Sequence, residues 1–537
     1  MKLEDSKISI RLIAAVTCLA FLAGCATAPQ AGRGPEYAPT ASLMREARSS
    51  QVPVEKRAAD YLQAAAMTAP LLGTGIGTPA CETYNAACGE LTVLLRSTEG
   101  GRLWNQPPTL AGNNTTYRLR LEPAANAVWA PDYFASFKLA DSIKANRVKK
   151  PNQVDGVGGE LVGVRSPTPL DPFTPPQGGI TAPVTATLDF HGKDATLALR
   201  RPAKRSTATV EGKVRPLAAD YSAPLLDYKP AGNEMIMGLM GAFMGSKYLS
   251  KTGLYFLQPY DPNRIPVIFV HGLISTPQMW LNVINDLQRD PVLRERYQFW
   301  IFAYPTGLPV LYTSLRLREA LDQVQKLYPN HKDYVLVSHS MGGLLSQFQV
   351  TTMTRADWES TLGERAKLLF ATLEPRSLVT KATTFKANPR VKRIVFICTP
   401  HRGAPMAVST IGEIGARLIS LPANLVGAIK SEVPPETLRK MNNGRLPNSV
   451  TNLQPESPYI QVANKLPMQT TYHSIIGNRG KPGPLADSSD GVVPYWSSHE
   501  AKAKSELIVP GPHGSCELPQ TIAELNRILQ LNLKTER

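Results

Sequence analysis

Residues 334–337, Tyr-Val-Leu-Val, form a short apolar run rich in β-branched side chains, which reads as a buried strand. It passes directly into Ser338-His339-Ser340-Met341-Gly342-Gly343-Leu344-Leu345, where small residues open a helix. A hydroxyl held at the corner of so sharp a strand-to-helix turn needs small neighbours two positions away on either side. Strand and helix otherwise could not approach each other. Ser338 and Gly342 occupy those positions.

The surrounding chain fits such a junction. Beyond about residue 255 strand-like and helix-like segments alternate, which predicts a mostly parallel sheet wrapped by helices. Strands are expected at 265–270, 299–303, 334–337, 392–398, 472–476 and 506–509. Helices are expected at 277–287, with Ser275 or Thr276 as cap and Pro277 in the first turn, and at 314–327, with Leu317, Leu321, Val324 and Leu327 at helical spacing. The N-terminal half has a different texture. An Ala-rich helix is expected at 54–67, with Ala58, Ala59, Leu62 and Ala66 near one face. Short runs at 91–95, 116–121 and 185–190 are strand signals of a β-rich accessory domain over 46–235.

Four segments of the C-terminal half carry chemistry. Val267-Ile268-Phe269-Val270-His271-Gly272-Leu273 ends a strand in a His-Gly turn. The elbow around Ser340 follows. Asp487-Ser488-Ser489-Asp490-Gly491-Val492-Val493 comes after the strand at 472–476, and Gly511-Pro512-His513-Gly514 after the last strand. In this order they resemble the α/β-hydrolase family, and among its members lipases and inositol-deacylase-like proteins most. Thr399-Pro400-His401-Arg402-Gly403 adds to that likeness, which covers roughly 255–537. The first small position of the elbow is Ser338 where the family pattern has Gly.

The resemblance implies a catalytic triad of Ser340 as nucleophile, His513 as base and Asp490 as acid, with Asp487 as the alternative acid. It implies an oxyanion hole from the backbone N–H groups of Leu273 and Met341. His271 is expected to bond loop backbone, and His401, His473 and His499 to be structural. A cap is expected at about 404–469, between the sixth and seventh strands of the fold. Neither a metal nor an organic cofactor is required.

The first 24 residues read as an export signal. Lys2, Lys7 and Arg11 precede an uncharged apolar run at 12–23, shorter than the about 20 residues a membrane span needs. Leu22-Ala23-Gly24-Cys25 resembles the lipobox of bacterial lipoproteins, implying cleavage before Cys25 and lipid on its thiol. Ala26 in place of Asp implies the outer membrane. Residues 25–45, rich in Ala, Pro, Gly and Ser, are expected to be a flexible tether. The Met-rich segment 235–244 is too short and too often broken by Gly to span a bilayer.

Four further cysteines remain in the mature chain. Cys81 and Cys88 are close enough in sequence to staple a small loop in an oxidising compartment, or to stay free; Cys398 and Cys516 follow, and no spacing resembles a metal site. The formal charge of +16 gathers partly in Lys144, Arg147, Lys149, Lys150 and in Arg200, Arg201, Lys204, Arg205. Such clusters suit a solvated face or an anionic envelope surface; no nucleic-acid-binding motif accompanies them. The function expected is hydrolysis of a carboxylic ester, of a lipid or another acyl compound at the membrane. Thioester, amide or acyl-transfer chemistry on the same triad, or a non-catalytic envelope-binding role, are the alternatives.

Cys25→Ser is expected to leave esterase activity intact while moving the protein from the membrane fraction to the soluble one. Sedimentation of the variant with membranes after a high-salt wash would point to the basic N-terminal half or the Met-rich segment as a second anchor.

Overall fold

The computed structural model describes residues 37–535 apart from 113–114, 124–127, 131, 169–170, 176–177, 228–251, 406–420, 443–445 and 481. The signal segment, Cys25 and the Met-rich stretch therefore lie outside the described residues, as do residues 406–420 and 443–445 of the expected cap.

Three helices begin the described chain: α1 (Ala41–Arg48), α2 (Val54–Thr68) and α3 (Pro79–Ser97). They lie against a six-stranded sheet of β1 (Thr109–Ala111), β2 (Thr116–Leu121), β3 (Ser136–Leu139), β4 (Gly159–Arg165), β5 (Ile180–His191) and β6 (Asp194–Arg200), in the order β1-β2-β6-β5-β4-β3. Only the β2–β6 pair is parallel. Two expectations change here. Residues 41–45, expected in the tether, are already helical, with Leu43, Met44 and Ala47 buried.

Residues 91–95, expected as a strand, are the last turns of α3. The run Leu-Thr-Val-Leu-Leu looks β-like by itself, yet Tyr84, Ala87, Cys88, Leu91 and Leu95 share one wholly buried helical face. Thr92 returns its hydroxyl to the Cys88 carbonyl at 2.7 Å. Helix and sheet approach so closely that a Cβ on Gly159 would lie 2.2 Å from the Gly89 nitrogen. Cys81 and Cys88 are both free and buried on this helix. Seven residues of α-helix separate their Cα atoms by about 10 Å, beyond the reach of a disulfide.

The second sheet has seven strands: β7 (Gly253–Phe256), β8 (Ile265–Val270), β9 (Tyr297–Ala303), β10 (Tyr334–His339), β11 (Val391–Ile397), β12 (Thr471–Asn478) and β13 (Glu506–Pro510). Their order is β7-β9-β8-β10-β11-β12-β13, with β7 antiparallel at the edge and every other pair parallel. Helices cover both faces, as two apolar clusters show: one gathers Trp300, Leu336 and Phe348, the other Phe269, Val337 and Leu529. Counted along this sheet, the expected cap region joins the fifth and sixth strands. Among the described residues it contributes α10 (Ala423–Glu432), α11 (Pro435–Asn442) and two short helices at Ser449–Asn452 and Pro458–Ala463, numbered after α4 (Leu281–Leu287), α5 (Val310–Leu327), α6 (Met341–Gln347), α7 (Arg355–Leu362), α8 (Glu364–Thr372) and α9 (Leu378–Thr383).

The two sheets belong to one packed body. Phe173, from the N-terminal half, stacks on Phe256 with ring centroids 4.8 Å apart, and its carbonyl accepts the Phe256 amide at 2.9 Å. The basic clusters supply much of the remaining contact. Lys149 pairs with Glu517 at 2.8 Å; Arg201 pairs with Asp261 at 3.2 Å. Lys144, Lys150, Lys204 and Arg205 stay exposed. Asn285 is the polar centre of the seam: its Oδ1 accepts from Ser222 Oγ at 2.6 Å and its Nδ2 donates to the Lys150 carbonyl at 2.9 Å.

Asn285→Ala leaves the buried Ser222 hydroxyl without its acceptor. A stability loss of about 1–3 kcal/mol is expected, read as a lower denaturant midpoint; an unchanged midpoint would show that the seam does not depend on this residue.

Candidate active site

Strand β10 ends at His339, and Ser340 adopts φ 54°, ψ −128° before α6 begins at Met341. A positive φ is rare for a residue with a side chain and costs about 1–3 kcal/mol. The turn is pinned by backbone bonds on both sides: the Ser340 N–H donates to the Ile397 carbonyl and the Gly343 N–H to the Ser340 carbonyl, each at 2.9 Å. The glycines that follow are required by space. A Cβ on Gly342 would lie 2.4 Å from the His271 carbonyl oxygen, and one on Gly343 2.0 Å from Thr399 Oγ1. Ser338, in the position where the family pattern has Gly, is accommodated with its side chain wholly buried and its Oγ bonded to the Val395 carbonyl at 3.3 Å.

Three side chains converge at this turn. The Ser340 hydroxyl lies 2.9 Å from His513 Nε2, and His513 Nδ1 lies 2.7 Å from Asp490 Oδ2. Asp490 Oδ1 accepts the amides of Val492 at 2.8 Å and Val493 at 2.7 Å. Burial by itself would raise the Asp490 carboxyl. The His513 hydrogen bond and charge, with the two valine amides, outweigh that and hold it below the ordinary carboxylate value. Asp487, the alternative acid, is exposed three residues away. Close packing carries Asp490 to the base, since a Cβ on Gly477 at the end of β12 would lie 2.9 Å from the Asp490 Cβ.

The N–H groups of Leu273 and Met341 find no acceptor among the described residues, and Met341 occupies the first turn of α6, whose amides point outward. The loop bearing Leu273 is held from below. Tyr304 donates its hydroxyl to the His271 carbonyl at 2.5 Å, and Thr306 Oγ1 accepts the Ile274 amide at 3.2 Å. Neither Tyr304 nor Thr306 belongs to the four segments singled out in the sequence as carrying chemistry. His271 stacks on Tyr304 at 4.3 Å and is driven down to about 4 by burial, so it stays neutral as a structural group.

The other histidines lie elsewhere. His401 bonds Gln347 at 2.8 Å and burial lowers it to about 3; His473 lies 2.7 Å from Arg393; His499 lies 2.7 Å from Glu506. Cys398, also at a positive φ of 50°, brings its Sγ within 4.8 Å of an Asp490 oxygen and a His513 nitrogen. That trio has metal-ligating atom types. Both His513 nitrogens, however, are already engaged with Asp490 and Ser340. Burial and the Asp490 charge push the Cys398 thiol up, which keeps it protonated and a poor ligand.

The sheet order, the elbow and the loops at the carboxyl ends of β8, β10, β12 and β13 define an α/β-hydrolase domain. Residues 267–511 match the model of the alpha/beta hydrolase family, and the match ends two residues short of His513. Among solved structures, similar ones include a mature lipase of Bacillus licheniformis, at 17% identity over 51% of this chain and 97% of the other, with a TM-score of 0.31. A Staphylococcus hyicus lipase shows 12% identity over 51% and 94%, with a TM-score of 0.31. An esterase B of Lactobacillus rhamnosis shows 13% identity over 52% and 79%, with a TM-score of 0.28. None of these three likenesses bears on substrate. No curated protein sequence matches the chain.

Asp490→Asn is expected to lower kcat on a p-nitrophenyl ester by about 10⁴-fold, because the wrong imidazole tautomer then faces Ser340. Asp487→Asn should change it less than about twofold, within the range of an exposed substitution. The reverse ranking would move the acid three residues back.

Proposed function

We propose that this protein is a serine hydrolase of carboxylic esters. Ser340 Oγ attacks the acyl carbonyl as its proton passes to His513 Nε2. Asp490 holds the imidazole in the tautomer that accepts this proton and stabilises the cation formed. The carbonyl oxygen, now carrying negative charge, lies against the Leu273 and Met341 amides. The tetrahedral centre collapses as the alcohol leaves with the proton from His513. Water then attacks the acyl-enzyme by the same steps in reverse order of partners. The observation that carries this reading is the continuous relay Ser340–His513–Asp490, at 2.9 and 2.7 Å.

The acyl group is apolar on this reading. A cavity of about 380 Å³ opens between α10 and α11 on one side and α7 to α9 on the other, within the size range of small-molecule sites. Leu369, Val379, Leu425 and Val433 are among its walls, with Pro309 and Leu311; Ser340, Asp490 and His513 are not among them. The Glu432 carboxylate fastens α10 by accepting the amides of Leu378 and Val379 at 2.8 and 2.9 Å. Lipid or other long acyl esters suit these walls. Membrane attachment belongs to the same proposal and rests on the lipobox-like Leu22-Ala23-Gly24-Cys25, where acyl chains on Cys25 would hold the protein at the outer membrane.

Ser340→Ala is expected to cut turnover of p-nitrophenyl esters by on the order of 10⁶ and to abolish labelling by a fluorophosphonate. A folded variant that keeps about a tenth of wild-type turnover would remove Ser340 from the chemistry.

A further inference from the structure

We propose that His339 is a positioning residue for the base: its Nε2–H holds the main-chain carbonyl of His513 and so sets where the His513 imidazole meets Ser340. This rests on the reading of Ser340 and His513 as nucleophile and base. His339 Nε2 lies 2.8 Å from the His513 oxygen, and the two rings sit 4.8 Å apart at 50°. The ring is buried, and its Nδ1 has no partner among the described residues, so the bond to His513 is its one directional contact there. A Cβ on Gly272 would lie 3.0 Å from that Nδ1, which is how the oxyanion loop leaves room for the ring.

The arrangement has a mechanical logic. The nucleophile is fixed by β10, whereas His513 is carried on the loop after β13, and 173 residues separate them. The loop is tied below by Gly511, whose amide donates to the Asn478 carbonyl at 2.9 Å. His339 ties the peptide of His513 itself to the strand end that carries Ser340. Because burial and the neighbouring His513 hold His339 down to about 3, it stays neutral and adds no repulsion when His513 becomes a cation.

The test uses the different reach of two amides. In His339→Gln the side-chain nitrogen falls near the imidazole Nε2 position and can still donate to the His513 carbonyl. In His339→Asn it falls near Nδ1 and cannot. On p-nitrophenyl butyrate the Asn variant is expected to lose about tenfold in kcat with KM nearly unchanged, the rate equivalent of one hydrogen bond. Its fluorophosphonate labelling should slow in parallel. The Gln variant should stay within about threefold of wild type, and both should retain the wild-type circular dichroism spectrum. Equal activity in the two variants, or equal loss in both, would overturn the proposal while leaving the Ser340 reading intact. A wild-type protein that neither turns over the ester nor takes the label would overturn both.

Discussion

The backbone at Ser340 can hold its positive φ only where no atom stands in the way of the strand-to-helix reversal. That constraint organises the C-terminal sheet around it. Gly342 must be bare because the carbonyls of Val270 and His271 pass within 2.5 Å of where a Cβ would stand. Gly343 must be bare because Thr399 packs against it. The two strands flanking β10 are therefore brought to the elbow at the same point, and the loops that follow them arrive with fixed register. Conformational strain of about 1–3 kcal/mol is small against the burial of a seven-stranded sheet.

A buried carboxylate is the second constraint. Asp490 is nearly inaccessible, and an uncompensated charge there would be costly. Its two oxygens are met by the Val492 and Val493 amides and by His513, so the turn 490–493 and the base loop depend on one another. The carboxylate thus belongs to the packing as much as to the chemistry proposed for it.

Much of this was legible because it is local. The apolar runs at 265–270 and 334–337 are short, bounded and followed by small residues, and the Asp-Gly-Val-Val and Gly-Pro-His-Gly segments each follow a strand. The structure brings Ser340, Asp490 and His513 to one place, and leaves Asp487 outside it. What escaped is non-local. The edge strand Gly253–Phe256 is defined by its antiparallel partner more than forty residues later. Leu91–Leu95 resembles a strand until the helical face shared with Tyr84 and Cys88 is seen against the sheet. The bond from His339 to the carbonyl of His513 has no signature in either segment, since its acceptor is backbone. The basic clusters keep Lys144, Lys149, Lys150, Lys204 and Arg205 exposed, while Arg201 is largely covered and pairs with Asp261.

The stacking of Phe173 on Phe256, and of Phe256 on Trp300 at 4.0 Å, has a consequence for how the chain matures. The N-terminal half is made first, but one of its aromatic rings has no apolar berth until β7 and β9 have been synthesised. Until then that half carries an exposed aromatic side chain and an unpaired carbonyl at residue 173. The stack of Phe173, Phe256 and Trp300 therefore makes part of the N-terminal half a wall of the hydrolase core.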